Sequence, residues 1–127
     1  MTRLICLAAL CTLAACSAIS PYSADGGHIQ EGCTNGHVSM SVKVIDVNHN
    51  PVSGATVTAT HRQSKKQQTG TTDSAGVTNA LNEDIGAGDV DIIATEGNRT
   101  SSVAAVLWTC GVCDCLSDPA SLTITIQ

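Results

Sequence analysis

Residues 33–127 are predicted to form an all-β domain, an antiparallel Greek-key sandwich of about seven strands. Three observations predict it. Apolar and polar residues alternate at period two in several separate stretches. Turn chemistry rich in Gly, Asn, Asp and Pro recurs between them. No amphipathic helical period is found after the N-terminal apolar run. Many short strands with turns between them favour a sandwich, with a closed barrel as the competing architecture.

The strands follow in order. Val38, Met40, Val42 and Val44 alternate with Ser39, Ser41 and Lys43, so one face is buried. The phase changes at Ile45-Asp46-Val47, which marks a bulge or a strand end. Asn48-His49-Asn50-Pro51 is a turn. Ala55, Val57, Ala59 and His61 then alternate with Thr56, Thr58 and Thr60. A weaker strand over 66–72 ends in the turn Asp73-Ser74-Ala75-Gly76, and 77–81 pairs back across it. Gly86 to Gly88 interrupts the chain before Val90, Ile92 and Ala94. After a turn at Gly97-Asn98, the continuous apolar run 103–108 reads as a central strand. Leu122, Ile124 and Ile126 close the domain. The core is aliphatic, because the chain has one Trp, one Tyr and no Phe. Such a core calls for a further stabiliser.

The stretch Val44-Ile45-Asp46-Val47-Asn48-His49-Asn50-Pro51-Val52-Ser53-Gly54-Ala55-Thr56-Val57, with Thr72-Asp73-Ser74-Ala75-Gly76 after it, resembles the carboxypeptidase regulatory-like domain. The resemblance covers roughly residues 38 to 96 and implies a transthyretin/prealbumin-like (Ig-like) sandwich without an activity of its own. Family members are accessory, adhesive or spacer modules. Pro51 fixes φ ahead of the next strand, while Gly54 and Gly76 supply permissive backbone. Asp73 can bond its own turn. His49 stands where the family commonly has Gly, and His tolerates positive φ better than most residues. Val77 and Val90 stand where the family often has aromatics.

The N-terminus carries an address. Arg3 precedes an apolar run from Leu4 to Leu13, followed by Ala14 and Ala15, in the order of a secretory signal. Leu13-Ala14-Ala15-Cys16 resembles the lipobox of bacterial lipoproteins. The resemblance implies cleavage after residue 15 and lipidation of Cys16. Residues 1–15 are then a lipoprotein signal peptide, and 16–32, with Pro21, Gly26, Gly27 and Gly32, a lipidated Cys and flexible tether. Ser17 is no inner-membrane retention signal by the same resemblance, which favours an outer-membrane address. The partner implied is the membrane itself, held through lipid on Cys16, with another envelope protein as a candidate. The net charge of -5 argues against a nucleic-acid groove.

Of the seven Cys, Cys6 and Cys11 fall in the signal and Cys16 at the lipidation position. Cys33, Cys110, Cys113 and Cys115 remain, an even number in an exported domain, and are expected to form two disulfides. Three connectivities are open. A ring between Cys113 and Cys115 would be strained, so Cys33 is expected to join Cys113 or Cys115. Closing a loop of about 80 residues stabilises by roughly 4 to 5 kcal/mol in the chain-entropy model.

The alternative is a metal-binding envelope protein using Cys33, Cys110, Cys113 and Cys115 with His28 and His37 nearby, a ligand set that Zn²⁺ accepts. Only one C-x₂-C is present, and it follows no βαβ unit of the thioredoxin type. Glu83, Asp84, Asp89 and Asp91 could gather around Ca²⁺, but the EF-hand order is missing, so they read as a solvated acidic loop. His61 falls on the apolar phase of its strand, where a half-exposed strand-end histidine is expected. Arg62, Lys65 and Lys66 read as a solvated turn. Asn98-Arg99-Thr100 is a sequon that a bacterial source leaves without meaning. Neither G-x-S-x-G nor H-E-x-x-H occurs, and the C-terminal residues Leu122 to Gln127 lack the Tyr-Arg-Gly-Ser of hydroxyisourate-type hydrolases. The expectation is a lipid-anchored, non-enzymatic structural or binding module without a cofactor.

Overall fold

The computed structural model describes residues 36–127. The expected signal peptide, the expected lipidation position Cys16, the expected tether and Cys33 therefore lie outside the described residues. Nine strands are present among those described: β1 (Ser39–Ile45), β2 (Thr56–His61), β3 (Gln67–Thr71), β4 (Val77–Asn82), β5 (Gly88–Glu96), β6 (Arg99–Thr100), β7 (Ala104–Cys110), β8 (Cys115–Asp118) and β9 (Ser121–Thr125). A 3-10 turn, Glu83–Ile85, links β4 to β5. All seven expected strands occur. The two additional ones are the two-residue β6 and the four-residue β8.

The strands form a small sheet in the order β4-β1-β9 and a large sheet in the order β3-β2-β5-β7-β8, with β6 pairing β5. Between the sheets lie Met40, Val42 and Val44 of β1, Val57 and Ala59 of β2, and Val90, Ile92 and Ala94 of β5, all buried. Val106 and Trp108 of β7, Leu81 of β4 and Ile124 of β9 join them, with Val52, Ala55, Ile85 and Ile126 from outside the strands. Each fully buried Val, Leu or Ile side chain is worth about 1.5–3 kcal/mol, so this period-two pattern sets the register of both sheets. A slip by one residue would turn the whole set to solvent.

One pairing departs from the expected antiparallel arrangement. The first and last strands, β1 and β9, run parallel, with Val42 opposite Leu122 and Val44 opposite Ile124. The path of the chain explains it. β8 ascends beside β7 in the large sheet, and the chain then crosses at the cis Asp118-Pro119 bond. It continues in the same sense as β9 in the small sheet, so the β8–β9 path changes sheets at a bend instead of reversing. Beyond β9, Ile126 forms a bridge with Ser101 and donates its N–H to Ile45 O at 3.0 Å, joining the two sheets again.

On the opposite side, β3 of the large sheet approaches β4 of the small one. A Cβ built on Gly70 would stand 2.5 Å from Thr78 Oγ1 and 2.7 Å from Ala80 Cβ, so only glycine permits the approach. The run 103–108 is not doubly buried as its composition predicts. β7 lies next to the β8 edge, and Leu107 on its outer face and Val103 just before it are exposed.

Candidate functional site

The loops fall into two groups at opposite ends of the sandwich. The segments 46–55, 72–77 and 96–103 gather where β1 ends. The segments 61–67, 82–88 and 110–115 gather where β1 begins, and most of the residues with chemical potential lie there.

At the far end, turn chemistry accounts for the polar residues. Asp46 Oδ1 accepts from Asn48 N at 2.8 Å and Asn50 N at 2.9 Å, and Asn50 Nδ2 donates to Asp46 Oδ2 at 3.2 Å. The Asn50 N–H above all holds the Asp46 carboxyl below its ordinary range, against a smaller opposing effect of burial. His49 has φ 66° and Gly54 φ 76°, as the turn chemistry predicts. Asp73 Oδ1 accepts from Ala75 N and Val77 N, with Gly76 at φ 73°. The Thr72 hydroxyl, buried, donates to Val52 O at 2.6 Å and accepts from Ala55 N at 2.9 Å, which ties the two loops together.

At the near end, Cys110 and Cys115 are opposite each other in the β7–β8 ladder and share a disulfide, with a Cα–Cα distance of 3.8 Å. Antiparallel register puts these two, out of the three cysteines of the hairpin, side by side. Gly111 N donates to Asp114 O at 2.8 Å to close the loop. Cys113, at the tip, is disulfide-bonded as well. The disulfide removes two of the four thiolates on which the metal reading depended. Among the described residues, no three His, Cys, Asp or Glu side chains are placed to hold one ion.

Glu83 joins three elements. Its Oε2 accepts from Cys115 N of β8 at 3.0 Å, and its Oε1 accepts from Val38 N at 3.4 Å. Glu83 N donates to Val38 O at 3.0 Å. His37 Nδ1 lies 3.7 Å from Glu83 Oε1 and 3.8 Å from Asp84 Oδ1. Two further contacts tie the basic turn to this acidic segment, one of them through a backbone carbonyl. Lys66 Nζ donates to Asp84 O, and Asp91 accepts from Arg62 Nη2 at 2.7 Å and Nε at 2.9 Å. That Arg62 hydrogen bond lowers the Asp91 carboxyl and raises the Arg62 guanidinium. Glu83 and Asp91 thus act as separate clasps, and of the basic turn Arg62 is paired, with Asp91.

His61 departs from expectation. It is 5% exposed rather than half-exposed. Its Nδ1 accepts from Gln63 N and Ser64 N, both at 3.2 Å, which leaves the proton on Nε2 to be donated to Ala87 O at 2.8 Å. Gly88 makes the burial feasible, since a Cβ there would stand 2.8 Å from His61 Nε2. The ring is a buried bracket between the 61–67 and 82–88 loops, and only its place on the apolar phase marked it in advance.

No family model and no curated protein matches the chain.

Proposed function

We propose that this protein is a lipid-anchored bacterial envelope lipoprotein whose β-sandwich acts as a non-enzymatic structural or binding module. The observation that carries the reading is a combination: Leu13-Ala14-Ala15-Cys16 at the end of an apolar run, and a disulfide between Cys110 and Cys115 in the domain that follows. Disulfides persist in exported proteins and are rare in the cytosol, so the domain's chemistry supports the export that the N-terminus encodes. Lipid chains on Cys16 would anchor the chain without an apolar protein surface, at about 0.8 kcal/mol per buried CH₂. Ser17 favours the outer membrane.

Several features support a scaffold or docking role. Glu83, His61, Asp73 and Asp91, polar side chains that could carry chemistry, are each engaged in a structural hydrogen bond. The Asp-anchored turns at 46–50 and 73–77 support kinship with the carboxypeptidase regulatory-like domain, whose members are accessory modules. Cys33 is the proposed partner of Cys113. That pairing would fasten the tether to the hairpin tip, at the end where β1 begins. The loops at 46–55, 72–77 and 96–103 would then face away from the membrane, toward a partner in the envelope.

Metabolic labelling with radioactive palmitate tests the anchor. Wild type should take up label and fractionate with membranes, and Cys16→Ala should lose both. Absence of label on wild type, or its retention in Cys16→Ala, overturns the reading.

A further inference from the structure

We propose that the Cys110–Cys115 disulfide is a reducible latch that holds the edge strand β8 on the large sheet. The inference concerns the hairpin alone and stands independently of the lipid anchor.

β8 is four residues long and, among the described residues, pairs only with β7. It supplies no fully buried side chain to the core. Leu116 is 62% exposed, Asp118 is exposed, and only Cys115 packs partly against the core cluster. What retains the strand is its short ladder, the Glu83 carboxylate on Cys115 N, the bond at Cys113 in the loop before it, and the Cys110–Cys115 disulfide across its first pair. A strand with so few buried contacts lies at the low-stability end of a domain, and a covalent tie across its first pair controls its opening. The tie is accessible, because Cys110 and the loop residues Gly111, Val112 and Cys113 are exposed.

Reduction is a balanced exchange. A dithiol reductant attacks one sulfur, and its second thiol resolves the mixed disulfide. Two electrons and two protons pass to the pair, giving the Cys110 and Cys115 thiols, and the reductant leaves as its own disulfide. With this pair open, β8 is held through its ladder, Glu83 and the bond at Cys113. When β8 leaves, the β7 edge becomes available for strand pairing, with exposed Leu107 on the same strand. Trp108 reports the event. It is 2% exposed and opposite Ser117 of β8, and it is the only Trp of the chain.

The test compares full-length wild type with a Cys110→Ser/Cys115→Ser variant, by amide hydrogen exchange and Trp emission. Mass analysis after alkylation verifies that Cys113 remains bonded in the variant. Amides of residues 116–118 should exchange at least about tenfold faster in the variant, with Trp108 emission shifted to the red and β2 and β5 protection unchanged. Wild type titrated with dithiothreitol should show the same order of events, with 116–118 released before β2 and β5. Unchanged protection at 116–118 overturns the latch. So does simultaneous loss of protection in all strands of the variant, since the disulfide would then stabilise the whole domain.

Discussion

Asp46 and Asp73 anchor two separate loops with the same four hydrogen bonds. Each Oδ1 accepts from the second and fourth backbone N–H that follow: Asn48 and Asn50 in one case, Ala75 and Val77 in the other. Each aspartate N–H donates to the carbonyl four residues on, and each carbonyl accepts from the third residue, His49 or Gly76. That third residue has positive φ in both, 66° and 73°. The segments that carry them also meet, because Gly54 N donates to Thr72 O at 2.9 Å. One local solution is thus used twice at one end of the sandwich.

Loss of the Asp73 carboxylate should therefore cost more than an ordinary surface change. Asp73→Ala leaves the Ala75 and Val77 N–H groups without their acceptor, and about 1–2 kcal/mol of stability should go with them, the range of a lost helix cap. Asp73→Asn keeps an acceptor at Oδ1 and should lose less. Urea unfolding followed by Trp108 emission measures both. Equal losses would mean that the charge, and not the acceptor geometry, holds the loop.

Glycines 54 and 76 both have positive φ, yet they should respond differently to alanine. A Cβ on Gly54 meets open space, whereas one on Gly76 would stand 2.6 Å from Val44 O and 3.0 Å from Val52 N. Gly54→Ala should cost about 1–2 kcal/mol for the left-handed backbone alone. Gly76→Ala adds a collision with backbone that cannot retreat without breaking the hydrogen bond from Val44 N to Gly76 O, and should cost more than about 3 kcal/mol. The difference in urea midpoints between the two variants reads out the collision.

Acid should act on Asp46 and Asp91. Hydrogen bonds from Asn50 N–H in one case and Arg62 in the other depress their folded-state values. A depressed carboxyl binds its proton less readily when folded, so its contribution is complete above the unfolded value, about 3.9. It is lost as pH falls through the lower folded value. Carboxyl carbon titration by NMR should place both midpoints below that of a free aspartate. Arg62→Met should return Asp91 toward the ordinary value and leave Asp46 in place.

Most of the architecture was legible because Val, Met, Ile and Ala alternate at period two. A strand with one buried face must show that pattern, as β1, β2, β5 and β9 do, whereas β3 and β4 were marked by the turn between them and β7 by its continuous apolar run. β8 was hidden because its only large apolar residue, Leu116, faces outward, and nothing else in Cys-Leu-Ser-Asp alternates. The parallel β1–β9 pair was hidden because alternation sets which side is buried and says nothing of direction. The cysteine spacing left three connectivities open. Choosing among them required the register of a hairpin whose second strand could not be seen. His61 lay on the apolar phase in plain view, but its burial depends on the Ala87 carbonyl and on the absence of a side chain at Gly88, both distant in sequence.

Gly70 offers the sharpest test of how the two sheets close on each other. It is buried in β3, and a Cβ there would stand 2.5 Å from Thr78 Oγ1 and 2.7 Å from Ala80 Cβ. Both obstacles are side chains, so the strain of Gly70→Ala can be relieved from the other strand. The substitution alone should destabilise by about 1–3 kcal/mol, as overpacking does. Thr78→Ala removes the nearer atom at the cost of a small cavity, and Ala80→Gly removes the other. In a double-mutant cycle, Gly70→Ala with Thr78→Ala should be less destabilised than the sum of the single changes, with a coupling of about 0.5–3 kcal/mol. Strict additivity would mean that β3 and β4 are farther apart than this packing requires, and that the β3–β4 side of the sandwich is open.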